Sequence, residues 1–188
     1  MPNNPIPSFV FCAITGPGHL GLHFLRAAEN LGVPISVLDS GEAYDGNSLV
    51  RRVNWWILGR RPARLKAFSR KAASLCLEKK PSALLTMGIA PLDEEALAMI
   101  GRAGILRVNY LTDDPWNPAH GSRWFFKALP QYDLVYTGRR ANMDDLRRAG
   151  CRRVEYLPFG YAPEDHFPEE PAAAEREKYD CDVSFVGG

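Results

Sequence analysis

Residues 9–21, FVFCAITGPGHLG, decide the fold class of this chain. The apolar run 9–15 does not alternate with polar residues, which predicts a strand buried on both faces. Apolar residues from His19 to Leu31 recur near helical spacing, so a helix is predicted to follow at once. The turn between them, GPGHLG (16–21), has the GxGxxG spacing of loops that bind phosphate at a helix amino terminus. This strand–turn–helix unit favours an α/β fold.

The same alternation continues along the chain. Further strands are predicted at 35–38, 83–87, 106–111, 134–137 and 154–157. Helices are predicted at 48–80 with a break at 59–62, and at 93–102, 122–128 and 142–149. Because parallel strands need crossover connections, the pattern predicts a Rossmann-like, doubly wound parallel sheet of about six strands.

We expect three segments. Residues 1–160 form the Rossmann-like domain, and 161–181, rich in acidic residues, proline and alanine, form a linker. Residues 182–188, DVSFVGG, predict a strand at 183–186 and a glycine turn that open another Rossmann-like domain.

Composition narrows the class of protein. A net charge of +1 on 188 residues gives no global attraction to nucleic acid. Four cysteines without CxxC spacing predict reduced thiols and no zinc site; they are Cys12, Cys76, Cys151 and Cys181. The amino terminus lacks the pattern of a signal peptide, and no apolar run reaches the length of a membrane span, so we expect a cytoplasmic protein.

The glycine loop is the first candidate site. Gly16 and Gly18 allow a tight turn, and His19 could act as a general base because histidine exchanges protons near neutral pH. Asp39 ends the second strand, where dinucleotide-binding folds carry a ribose-binding acid. Binding of NAD(P), binding of a nucleotide sugar, and a turn that is tight for packing alone all remain open.

The ends of two later strands provide the second and third candidate sites. Asp113 and Asp114 follow the fourth predicted strand, where open α/β sheets bind ligands, and Trp116 offers a flat ring for stacking. The alternative is a turn in which an aspartate caps a helix. Arg139 and Arg140 follow the fifth strand and could hold a phosphate, or could lie on a helix surface.

Segment 51–80 is strongly basic, contains Trp55 and Trp56, and has the single acid Glu78. Such a composition fits a peripheral contact with an anionic membrane or a polyanionic acceptor. An ordinary solvated helix face is the alternative. No nucleic-acid-binding module is recognisable, so we expect no nucleic-acid partner.

From Asn109 onward the chain resembles the CgeB-type spore-maturation glycosyltransferases, a GT-B family. The resemblance rests on NYLTDDPWNP (109–118), SRWFFKALPQYDLVYTGRRAN (122–142), GCRRVEYLPFGYAPEDHFP (150–168) and DVSFVGG (182–188). The run YLPFGYAPEDH is its most specific part. The first hundred residues match the family only in their Rossmann-like layout.

The resemblance implies transfer of a sugar from a nucleotide-sugar donor to a sugar, protein or lipid acceptor, without a metal or a separate cofactor. The amino-terminal domain of such enzymes mainly holds the acceptor, and a second domain holds the donor, so we expect catalysis to require that second domain. The expected catalytic residues are His19, Asp113 and Asp114. The expected substrate-binding residues are Gly16, Gly18, Trp116, Asn117, Arg139, Arg140, Gly160 and Tyr161. An NAD(P)-dependent oxidoreductase and a non-catalytic binding module remain alternatives.

Overall fold

The computed structural model describes residues 6–184 and contains one six-stranded sheet. Its strands are β1 (Phe9–Ala13), β2 (Ile35–Asp39), β3 (Ala83–Met87), β4 (Leu106–Leu111), β5 (Leu134–Thr137) and β6 (Val154–Tyr156). All neighbouring pairs are parallel, and their order across the sheet is β2-β1-β3-β4-β5-β6. The predicted Rossmann-like, doubly wound α/β class is therefore confirmed.

Seven α-helices connect or follow the strands within residues 6–184. They are α1 (Leu20–Asn30), α2 (Ser48–Trp56), α3 (Leu65–Lys79), α4 (Glu94–Arg102), α5 (Arg123–Ala128), α6 (Met143–Arg148) and α7 (Ala173–Tyr179). The predicted break at 59–62 separates α2 from α3, as expected. The predicted linker carries the exposed helix α7. Val183 and Ser184 have no strand conformation, and the rest of the strand and glycine turn predicted at 183–188 lies outside the described residues.

The helices cover the two faces of the sheet unequally. Val10 and Cys12 of β1 belong to the main core, which also includes side chains of α3, α4 and α5. Phe11 points to the opposite face because side chains alternate along a strand. There its ring stacks on Phe24 of α1, with 6.0 Å between ring centroids. Phe24 also lies 5.8 Å from the ring of Tyr110, so α1 packs over β1 and β4.

The direction of winding reverses between β1 and β3. From β1 the chain crosses by α1 to the edge strand β2, and then returns past β1 to β3 and continues the other way. Loops that leave neighbouring strands toward opposite faces open a crevice at the carboxyl ends of those strands. The sheet topology therefore predicts a ligand site beyond the ends of β1 and β3. Among residues 6–184, no helix combines the length and apolarity needed to cross a bilayer.

An ion pair between the buried Arg107 and the partly exposed Asp133 joins β4 to neighbouring elements. The guanidinium of Arg107 on β4, whose residue is 7% exposed, donates hydrogen bonds to both carboxylate oxygens of Asp133 at 2.9 and 2.6 Å. It also donates to the Leu97 carbonyl of α4 at 3.2 Å. A Cβ atom at Gly101 would lie 2.3 Å from this guanidinium, so glycine there leaves room for it. The pair thus joins β4 to α4 and to the turn before β5.

We predict that Asp133→Ala lowers the free energy of unfolding by about 3 kcal/mol at neutral pH, because Arg107 is left buried without its partner. Urea denaturation followed by circular dichroism measures this loss. Asp144→Asn is the control, since its ion pair with Arg147 is exposed and should contribute little.

The effect of Asp133→Ala should depend on pH. Burial acts to raise the pKa of Asp133, but hydrogen bonds and charge from Arg107 outweigh it and leave the pKa below its ordinary value. A lowered folded-state pKa stabilises the fold fully above the unfolded value of about 3.9, and this stabilisation is lost as pH falls through the lowered pKa. The difference between wild type and Asp133→Ala should therefore shrink in acid. A difference that stays constant from neutral pH into acid would contradict this account.

Candidate functional site

A cavity of about 480 Å³ lies beyond the carboxyl ends of β1 and β3, and we call it the switch-point pocket. Loops that follow β1, β2, β3 and β4 all contribute to its walls. Its polar and aromatic lining residues are His19, Ser40, Tyr44, Trp55, Arg60, Thr112, Asp113, His120 and Ser122. Two of the three expected catalytic residues, His19 and Asp113, therefore reach the same cavity.

The glycine loop brings His19 to this pocket. The Gly16 carbonyl accepts a hydrogen bond from the His19 N–H at 3.1 Å, which closes the turn before α1. His19 is the residue that precedes α1, and its side chain makes no capping hydrogen bond there. A Cβ atom at Gly21 would lie 2.3 Å from the Ile14 carbonyl oxygen, so α1 begins in direct contact with the end of β1. The third glycine of the motif thus serves helix–strand packing.

The adjacent carboxylates after β4 have different environments. Asp113 is half-buried, lines the pocket, and accepts a hydrogen bond from the Thr112 hydroxyl at 3.2 Å. Asp114 instead accepts from the Trp116 N–H at 3.1 Å and from the Asn142 amide at 3.3 Å. Only Asp113 is free to face a ligand in the pocket, whereas Asp114 holds the loop to the segment before α6.

Arg60 is a pocket residue that the sequence analysis did not single out as a site residue. Its φ of 58° is in the left-handed region, which is unfavourable for a residue with a side chain. The Trp124 indole donates to the Arg60 carbonyl at 3.2 Å and fixes this backbone. The guanidinium carbon lies 5.3 Å from the centre of the Trp55 ring and so places a positive charge beside an aromatic wall.

Tyr44 and His120 complete the reactive groups of the pocket. Burial, with smaller contributions from the Cys12 thiol and the Asp113 carboxylate, raises the pKa of Tyr44 to about 12. Its phenol therefore stays protonated at neutral pH and is available as a hydrogen-bond donor. His120 is held by a turn in which its N–H donates to the Asn117 carbonyl at 2.8 Å.

Trp116 and Asn117, which we expect to bind substrate, make local contacts outside the switch-point pocket. The Trp116 ring lies 5.5 Å from that of Phe126, so one face packs against α5. The Asn117 side-chain oxygen accepts from the Ala119 N–H at 2.8 Å and forms the turn that leads to His120. Neither residue lines the switch-point pocket.

The two arginines after β5 also lie away from this pocket. The Arg139 N–H donates to the Thr137 hydroxyl at 3.1 Å. The Arg140 guanidinium lies 4.0 Å from the centre of the Tyr156 ring. Both side chains are exposed, and Arg140 makes a cation–π contact with β6.

A second cavity, of about 850 Å³, lies between α1 and residues 157–166, and we call it the α1 pocket. Three other expected substrate-binding residues line it, and these are Gly18, Gly160 and Tyr161. The four histidines of the chain divide evenly, with His19 and His120 in the switch-point pocket and His23 and His166 in the α1 pocket. Of these two cavities the switch-point pocket is the candidate functional site, because it lies at the reversal of strand order and is lined by Asp113, Arg60 and Tyr44.

The expected ribose-binding acid, Asp39, is present and exposed, whereas the described residues contain no metal ligand set. Within residues 6–184, no three His, Cys, Asp or Glu side chains are grouped so that they could hold a metal ion. Asp39 ends β2 as expected, and its Oδ1 accepts a hydrogen bond from the Gly41 N–H at 2.8 Å. The described cysteines form no disulfide, and burial raises the pKa of Cys12 to about 12.

No protein-family model matches this chain, and neither does any curated protein.

We predict that Gly21→Ala destabilises the protein by about 1–3 kcal/mol, because its methyl group would collide with the Ile14 carbonyl and push α1 from β1. Gly16→Ala is the matched control in the same motif. Its added methyl group would lie 3.6 Å from the nearest side-chain atom, an ordinary contact. Thermal unfolding of both variants measures the difference. Equal melting temperatures would mean that α1 does not approach β1 as closely as described.

Proposed function

We propose that residues 1–160 form the acceptor-side domain of a GT-B-type glycosyltransferase, which moves a sugar from a nucleotide-sugar donor to an acceptor hydroxyl. The observation that carries the proposal is the content of the switch-point pocket. At the reversal of strand order it gathers the Asp113 carboxylate, the His19 and His120 imidazoles and the Arg60 guanidinium. The resemblance of 109–168 to CgeB-type enzymes supports the same function.

In this proposal the pocket activates the acceptor. His19 or Asp113 takes the proton of the acceptor hydroxyl, whose oxygen then forms a bond to the anomeric carbon of the donor sugar. The bond from that carbon to the phosphate oxygen breaks at the same time, and the nucleoside diphosphate leaves with the electron pair. Both candidate bases line one cavity, as a shared acceptor site requires.

The remaining pocket residues would bind and orient the two substrates. Arg60 and the amino terminus of α1 supply positive charge, which stabilises the negative charge that develops on the leaving diphosphate. Trp55 and Tyr44 offer aromatic faces suited to a sugar ring, and the protonated Tyr44 phenol donates a hydrogen bond.

We predict that Asp113→Asn lowers sugar transfer by about a hundredfold or more if Asp113 is the base, with little change in thermal stability. Asp114→Asn is the matched neighbour, since its side chain holds the loop and lies outside the pocket. The two variants are compared in the full-length protein by measuring the transfer of labelled sugar from a panel of nucleotide sugars.

His19→Ala separates the two candidate bases. If His19 is the base, His19→Ala loses sugar transfer while Asp113→Asn keeps most of it, and the reverse holds if Asp113 is the base. If the Asp113→Asn and His19→Ala variants both keep full turnover, neither residue is the base and the proposed role of the switch-point pocket is wrong.

An NAD(P)-dependent oxidoreductase is the second candidate, because Asp39 ends the strand next to β1 and its glycine loop. We expect no saturable binding of NADH or NADPH in a fluorescence titration, since Asp39 Oδ1 already accepts a hydrogen bond from the Gly41 N–H and only Oδ2 is left for the two hydroxyls of a ribose. Adenosine diphosphate is the control for binding through the nucleotide alone. Saturable NADH binding that Asp39→Ala abolishes would favour the oxidoreductase instead.

A further inference from the structure

Helix α2 is amphipathic, but its apolar face points away from the protein. At about 100° per residue, Trp55 lies on the opposite side of α2, and its other apolar side chains fall with Ile57 within one arc roughly 120° wide. These residues are Leu49, Val50, Val53, Trp56 and Ile57. All five are exposed, Trp56 to 79% and Ile57 to 70%, and α2 has no buried residue. An apolar stripe of this width in a globular protein normally faces the core.

The opposite side of α2 makes its contacts with the domain. Trp55 lines the switch-point pocket, and Arg51 and Trp55 together line a smaller cavity beside Tyr44. The Asn54 carbonyl accepts a hydrogen bond from the Arg61 N–H at 3.3 Å. The orientation of the helix is therefore fixed by its more polar side, and the apolar stripe is left for another surface.

Positive charges predominate around this stripe, although Asp45 lines the same small cavity as Arg51 and Arg61. Residues 46–64 contain the arginines 51, 52, 60, 61 and 64 and no aspartate or glutamate. Within residues 6–184, none of these arginines forms an ion pair. The segment thus presents unneutralised positive charge beside exposed apolar surface.

Helix α3, the other half of the basic segment, behaves differently. Its apolar residues Leu65 and Phe68 are buried in the main core. Lys66 pairs with Glu95 at 2.7 Å, and Lys71 pairs with Glu42 at 2.5 Å. The surface open to a partner is consequently narrower than 51–80 and is centred on α2.

We infer that α2, with Ile57 and Leu58, docks in the plane of an anionic lipid surface. Trp56 suits the headgroup boundary, the aliphatic side chains reach the acyl region, and the arginines bind lipid phosphates. A second copy of this chain fits the surface less well, because a symmetric contact would bring the same unpaired arginines together. Docking would bring the mouth of the switch-point pocket close to the lipid, since Trp55 on this helix lines that pocket.

Co-sedimentation of the full chain with vesicles tests the inference and needs no sugar substrate, so its failure is distinct from failure of the proposed function. We expect binding to phosphatidylcholine vesicles that contain phosphatidylglycerol, little binding to phosphatidylcholine alone, and weaker binding at high salt. The double variant Trp56→Glu/Ile57→Glu should lose binding. Leu31→Glu, an apolar-to-acid change at a similarly exposed residue that directly follows α1, should retain it.

Two further comparisons separate charge from apolar insertion. Arg52→Gln/Arg64→Gln should weaken binding roughly thirtyfold, whereas Arg147→Gln/Arg148→Gln, which removes equal charge from α6, should have little effect. Brominated lipid should quench the tryptophan fluorescence of the wild type and of the Trp116→Phe variant. It should quench the fluorescence of the Trp56→Phe variant less, because that variant lacks the tryptophan that reaches the lipid.

Three results would overturn the inference. The first is that the wild-type protein fails to sediment with anionic vesicles at low salt. The second is that the Trp56→Glu/Ile57→Glu variant sediments with these vesicles as well as the wild type does. The third is self-association of wild type, measured by sedimentation equilibrium without lipid, that the same double variant abolishes. That outcome would show that a second copy of this chain covers the apolar face of α2. The substituted side chains are exposed, so unchanged circular dichroism spectra would exclude unfolding as the cause of lost binding.

Discussion

All six strands of the sheet run in one direction, and their carboxyl ends therefore meet at a single edge. The order β2-β1-β3 forces the chain to leave β1 toward one side and β3 toward the other. α1 packs on one face through Phe24, while α3, α4 and α5 pack on the other. The crevice between these diverging connections is a consequence of the topology, and the reactive side chains lie where that topology leaves space.

Within this arrangement, neighbouring residues of similar chemistry have separate tasks. Asp113 faces the pocket, whereas Asp114 holds its loop by two hydrogen bonds. His19 lines the switch-point pocket, and Gly21, two residues later, sets the distance between α1 and β1. The basic segment divides in the same way, since α3 contributes to the core and α2 leaves its apolar side exposed. Residue type alone does not distinguish these tasks, because the orientation of each side chain depends on contacts made by distant segments.

The fold could be predicted from local patterns, because long apolar runs such as 9–13 and helical spacing are properties of short segments. His19 and Asp113 could be found as well, since each follows a predicted strand and parallel strands share one carboxyl edge. Arg60 and His120 reach the pocket through turns that tertiary contacts fix, including the bond from Trp124 to the Arg60 carbonyl. No local signal marks such residues. The contact of Trp116 with Phe126 depends likewise on how α5 packs.

We propose that the substrate occupies the switch-point pocket and not the larger α1 pocket. Because two of the four histidines lie in each cavity, nuclear magnetic resonance of the labelled imidazoles distinguishes the two sites directly. The chain would be titrated with a panel of nucleotide sugars and free glycosides. The account predicts that the resonances of His19 and His120 shift together while those of His23 and His166 stay in place. Saturable shifts confined to His23 and His166 would contradict it.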